Sequence, residues 1–224
     1  MGIHDGHRQR MKKRFLDHGL ENFDDVNVLE LLLFFAQPRQ DTNELAHMLM
    51  EKFGTLSAVL EASPAELKNV SGIGESAVTL LSLVPAVSRR YMVDKTPKAE
   101  PVDNAAAAGR YFIPRFMYER EEVVLALLLD SRRRPITCLE LSRGTVNAAE
   151  IHIRKLAESC LEYRASAVIL AHNHPSGDVI PSSEDHLTTL QILRALSVIS
   201  ISLDDHVVVA GNKYISMREK GLMR

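Results

Sequence analysis

Cysteine is scarce. Cys138 and Cys160 are the only two in 224 residues, stand 22 positions apart and form no CxxC pair, which excludes a disulfide scaffold and an all-cysteine metal site and fits a reducing, cytoplasmic setting. Long apolar runs are missing as well. The longest, Val123 to Leu129 and Leu31 to Ala36, fall far short of the roughly 18 residues a membrane span requires, so no membrane association is expected. The opening MGIHDGHRQRMKKRF is charged but has no apolar stretch behind it, unlike a secretory signal. Excess charge is absent too: 27 Lys and Arg stand against 29 Asp and Glu, for a net charge of -2. A protein held on nucleic acid by bulk basicity is therefore excluded, and any such contact must be local. What is present is the composition of a soluble globular chain, 46% hydrophobic and 25% charged, of a size for one or two domains.

One seam interrupts the apolar periodicity. YMVDKTPKAEPVDN, residues 91 to 104, carries Pro97, Pro101 and mixed charge and reads as a linker between residues 1–90 and 105–224. Neither part is a basic arm: residues 1–98 hold 12 basic and 13 acidic side chains, the remainder 15 and 16. Arg8, Arg10, Lys12, Lys13 and Arg14 form a small cluster of the kind that usually makes a solvated face.

The first part predicts short helices. Asp41 or Thr42 can cap a segment ending near Phe53, Thr55 can open the next, and Ser63-Pro64-Ala65-Glu66 is a capping box with proline at the first helical position. In LKNVSGIGESAVTLLSL, Gly72 and Gly74 flank Ile73 before a helix starting near Glu75. Such a turn can present backbone N–H groups to a phosphate without a large basic patch. It resembles the helix-hairpin-helix family over roughly residues 44 to 90. It also reads as a tight helix connection packed on a partner, and Glu75 would compete for the same N–H groups.

The second part changes period. EVVLALLLD, residues 122 to 130, Ile136 to Leu141 and Ala167 to His172 read as strands, with a late strand at Val207 to Ala210 before Tyr214-Ile215-Ser216. Ala148 to Tyr163 and Pro181 to about Val198, opened by Ser182, read as helices. The expected fold is α+β, a small all-helical domain followed by a mixed sheet flanked by helices.

The chemistry gathers in AHNHPSGDVIPSSEDH. His172 and His174 are two apart, so on a strand both imidazoles face one side and can share an ion. Asp185, eleven residues after His174 in the first turn of the next helix, can return a carboxylate as third ligand. Two histidines, one carboxylate and an open position is the pattern of a hydrolytic zinc site. Ser182-x-x-Asp185 reads equally as a capping box. Other metal patterns fail on spacing: HxHxDH needs Asp where Ser176 stands, and HExxH is absent.

The order HxH, ten residues, Asp, with Ser182 three before it, resembles the JAMM metalloproteases of the MPN fold. HNHPSGDVIPSSED matches at every signature position. That pattern also calls for a glutamate ahead of an early buried strand, where Glu122 stands and Glu121 is its neighbour. HNHPSG with PSxxD, the SRGTVN stretch at residues 142 to 147, LDDHVVV at Leu203 to Val209 and the helical half in front together resemble the RadC family over nearly the whole chain. The resemblance implies an MPN-type sheet domain and one Zn2+ per chain on His172, His174 and Asp185. It also implies Glu122 as general base and Ser182 as donor to the oxyanion. His206, after Asp204 and Asp205, reads equally as a residue that orients a metal ligand or substrate and as a polar residue at a strand start. A peptide or isopeptide bond would be the target, and Gly72, Ile73 and Gly74 would make a weak, sequence-independent DNA contact. Two other classes stand beside this: a nucleic-acid-binding module, and a silent MPN scaffold carrying one.

Overall fold

A computed structural model describes residues 3–38, 40–97, 100–144 and 149–224. The chain forms two compact units, residues 1–88 and 89–224.

The first unit is helical. It contains α1 (Ile3–His18), α2 (Asp25–Ala36), α3 (Asn43–Phe53), α4 (Leu56–Glu61), α5 (Pro64–Lys68) and the start of α6 (Glu75–Lys95). Oxygen-bearing caps open three of them: Asp24, Thr55 and Ser63 accept from the N–H groups of Asn27, Ala58 and Glu66. Ser63 and Glu66 complete the expected capping box. Leu29, Leu33, Leu49, Leu67 and Leu81, wholly buried, form the centre of one core. Arg10 and Lys13 are exposed, as a solvated face would have them, whereas Arg8, Lys12 and Arg14 also meet protein partners. Arg8 donates to the carbonyls of Pro38, Gln37 and Gln40, which lie just past the end of α2 where backbone acceptors are left over. Its guanidinium also stacks 4.8 Å from the Phe34 ring centre, while Lys12 and Arg14 lie over Phe35 and Phe23. Cation–π attraction and carbonyl capping explain why they are held.

The second unit is built on a five-stranded mixed sheet in the order β2-β1-β3-β4-β5. The strands are β1 (Val123–Leu129), β2 (Pro135–Arg143), β3 (Ala167–Asn173), β4 (Ser202–Ala210) and β5 (Lys213–Ser216). β1 runs antiparallel to β2 and β3, β3 is parallel to β4, and β4 is antiparallel to β5. Helix α7 (Ala105–Phe116) covers one face, packing Ala108, Phe112 and Phe116 on Leu125, Leu127, Ile169 and Val207. Helices α8 (Ala149–Glu162) and α9 (Ser183–Val198) cover the other through Leu156, Cys160, Ile192 and Leu196 on Ala126, Leu128, Val168 and Leu170. Burial on both faces is why β1 and β3 read as unbroken apolar runs rather than alternating ones.

Three features depart from the sequence expectation. Residues 91–95 are not linker: α6 continues to Lys95 and ends two residues before Pro97, where the residue preceding proline disfavours helix. Helix α7, to which the sequence assigned no element, is capped by Asn104, whose side chain accepts from Ala107 N–H. β4 begins at Ser202, ahead of the expected Val207. Its polar Asp205 is buried because Oδ2 accepts from the Ser216 hydroxyl at 2.6 Å and Oδ1 from the N–H groups of His206 and Arg218. Thr145 to Asn147 of the SRGTVN stretch lie outside the described residues.

Candidate metal centre

The sheet register assembles the centre. Val124 on β1 lies opposite His172 on β3, and cross-strand partners share a face. Glu122, just ahead of β1, and His172 border one cavity with Asp185, Thr188 and Ile192 of α9, so both lie on the side that α9 covers. Asp185 in the first turn of α9 descends onto them. His172 Nε2 is 3.0 Å from His174 Nε2 and 3.2 Å from Asp185 Oδ1, and His174 Nε2 is 3.7 Å from Asp185 Oδ2. One ligand atom from each residue lies within 4.8 Å of the others. Two imidazole nitrogens and a carboxylate oxygen so placed can hold a divalent metal ion.

Each group is aimed from behind. His174 Nδ1 lies 2.7 Å from the main-chain oxygen of Asp178; an oxygen there only accepts, so Nδ1 donates to it and Nε2 is the nitrogen turned to His172. That loop turns at Gly177, whose φ of +89° is the left-handed region glycine enters without penalty. Asp185 is held by a complete capping box with Ser182. Burial alone would raise its pKa, but the hydrogen bond and charge of His172 and the Ser182 hydroxyl and N–H outweigh it, holding Asp185 well below the usual carboxylate range. His206 on β4 is 2.8 Å from His172 Nδ1 through its Nε2, and its Nδ1 is 2.5 Å from the Thr189 hydroxyl. Burial pushes the His206 ring down to about 3, with the neighbouring His172 charge acting in the same direction, so it stays neutral.

A cavity of about 310 Å3 opens beside His172 and Asp185, walled by Val124, Leu141, Leu170 and Ile192 and rimmed by Glu121, Glu122 and Glu184. Glu122 therefore faces the space next to the ligand cluster, and so does Glu121. Ser182 is not among the lining residues. Its hydroxyl is engaged with Asp185. Asn173, between the two histidines, points to the other side: it accepts from Val123 N–H at 2.8 Å and donates to the Glu121 carbonyl at 3.0 Å, which pins the backbone that carries Glu122. Thr189 escaped the sequence argument, although its position four after Asp185 puts it on the same helix face.

Gly72, Ile73 and Gly74 form the turn between α5 and α6 in the helical unit. Gly72 has φ +80° and its carbonyl accepts from Gln37 Nε2 at 3.1 Å, while Ile73 packs on the core. Among the described residues no helix is long and apolar enough to cross a membrane.

The sheet with helices on both faces, carrying two histidines at a strand end and an aspartate at the next helix start, defines a JAB/MPN-type domain. A family model described as the RadC-like JAB domain matches residues 102–222. A UPF0758 protein of Rhodobacter capsulatus is 37% identical over 213 residues, 95% of this chain and 100% of the relative. A UPF0758 protein of Stenotrophomonas maltophilia strain K279a is 36% identical over 225 residues, 100% of this chain and 96% of the relative. One from Idiomarina loihiensis is 35% identical over 215 residues, 96% of each chain. The chain belongs to the RadC family.

Proposed function

We propose that this protein is a zinc-dependent metallopeptidase or isopeptidase of the cytoplasm, hydrolysing an amide bond in a peptide or protein substrate. The observation that carries the reading is the meeting of His172, His174 and Asp185 within 4.8 Å beside a cavity that Glu122 also lines. One Zn2+ per chain held by these three residues would supply a Lewis acid and a bound water with a pKa of about 7. Glu122 sits beside the ligands and takes the attacking water's proton, then passes it to the departing amine. Ser182 releases Asp185 Oδ2 when substrate enters and turns its hydroxyl to the oxyanion, a contribution of about 3 kcal/mol for comparable donors. The cavity beside the ligands receives the chain of the substrate.

The helical unit makes a weak, sequence-independent DNA contact through Gly72, Ile73 and Gly74, bringing the peptidase to substrates on DNA. Support comes from the open approach at Gly72, where an added side chain would meet nothing within 4 Å.

Metal analysis of protein purified without chelator tests the reading. About one zinc per chain is expected, and none in the His172→Ala/His174→Ala variant. No stoichiometric metal in the parent would overturn it.

A further inference from the structure

Thr189 has one hydroxyl proton and two close partners. Its Oγ1 lies 2.5 Å from the main-chain carbonyl of Asp185 and 2.5 Å from His206 Nδ1. From this geometry we infer that Thr189 and His206 are positioning residues that dictate which nitrogen of His172 is offered to the metal. The inference rests on the assignment of His172 as a metal ligand.

The direction of each hydrogen bond follows from one end. A carbonyl oxygen only accepts, so the Thr189 proton goes to Asp185. The Met217 sulfur, 3.7 Å away, is a weak acceptor and does not compete. Were the proton turned to His206 instead, two acceptor oxygens would face each other at 2.5 Å. Thr189 Oγ1 must then accept from His206 Nδ1–H. A neutral imidazole carries one N–H, so His206 Nε2 bears a lone pair and accepts from His172 Nδ1–H across 2.8 Å. With Nδ1–H committed to His206, Nε2, the atom that faces His174 and Asp185, is the nitrogen His172 offers to an ion. Thr189, His172 and His206 are 0%, 1% and 4% exposed, so water has no access to reverse the order.

The relay starts at the carbonyl of Asp185 and ends opposite its carboxylate. A single turn of α9 thus supplies one metal ligand directly and sets the tautomer of another through β4. Such partners behind a ligand typically change metal affinity by about 10–100-fold when removed.

Nitrogen-15 NMR of the imidazoles in metal-free protein, with zinc affinity by chelator competition, tests this. His206 is expected as the Nδ1–H tautomer. Thr189→Val, close to isosteric, should abolish that preference and weaken zinc binding roughly 10–100-fold, and Thr189→Ser should restore both. A residue that merely filled space would lower thermal stability without moving the tautomer. His206 protonated on Nε2 in the parent, or Thr189→Val with the parent's tautomer and zinc affinity, would overturn the inference. If the valine variant does not fold, the parent spectrum and the serine variant still decide it. A parent that takes no zinc would overturn the metal assignment instead, and the tautomer of the metal-free protein would still settle the direction of the relay.

Discussion

Ser182 and Asp185 grip each other from both ends. The Ser182 hydroxyl and N–H each donate to Asp185 Oδ2 at 2.7 Å, and Asp185 N–H donates back to the hydroxyl at 3.1 Å. The same carboxylate turns Oδ1 to His172 at 3.2 Å. A helix cap and a candidate metal ligand are therefore one structure. Ser182→Ala should cost about 1 kcal/mol of stability through the lost cap and should also weaken zinc binding, because Asp185 gains rotamer freedom. Urea unfolding of the metal-free protein and zinc titration separate the two effects.

Proton transfer and coordination are assigned to different carboxylates. Glu122 lines the cavity without belonging to the ligand cluster. Glu122→Gln should keep fold and zinc while lowering turnover about 100-fold to 10,000-fold on any peptide or isopeptide substrate found by screening. Asp185→Ala should lose metal and activity together. A Gln variant that has lost its zinc would make Glu122 a ligand, and one with full activity would pass the role to Glu121.

Asn173 is buried and bridges Val123 N–H and the Glu121 carbonyl. Asn173→Ala strands those two backbone groups, at a cost of about 1–3 kcal/mol. Since the stranded segment carries Glu122, turnover should fall more than zinc affinity. Equal losses in both would show that the whole site had collapsed.

In the helical unit, DNA binding should be weak, indifferent to sequence and steeply reduced by salt. Gly72→Ala/Gly74→Ala should remove it, since an alanine at φ +80° strains the turn, while leaving the zinc content unchanged. Fluorescence anisotropy with a short duplex at several salt concentrations is the measurement. Salt-insensitive binding, or none at low ionic strength, would return the turn to a purely structural or protein-contact role.

Much of this was legible in the residues because the relevant physics is local. Ser63 and Glu66 close the expected box since both lie within one helical turn, and His172 and His174 share a face since a strand repeats every two residues. The buried runs of β1 and β3 announced a sheet covered on both sides. Helix α7 was hidden because four alanines and an internal proline carry little apolar signal until Phe112 and Phe116 find the sheet. The early start of β4 was hidden because Asp205 looks like a surface residue until Ser216 and two backbone N–H groups surround it.

The sequence by itself determined the metal-binding residue types, their spacing and the helix cap that carries Asp185. Only the tertiary structure decided which glutamates line the cavity, that Asn173 anchors their backbone, and that Thr189 and His206 stand behind His172. Those relations join residues 17 to 52 positions apart, across strands whose register is set by the packing of two opposite sheet faces. Chain-local spacing carries no information about such pairings, whereas a one-residue slip in that register would turn every one of these side chains to the wrong side.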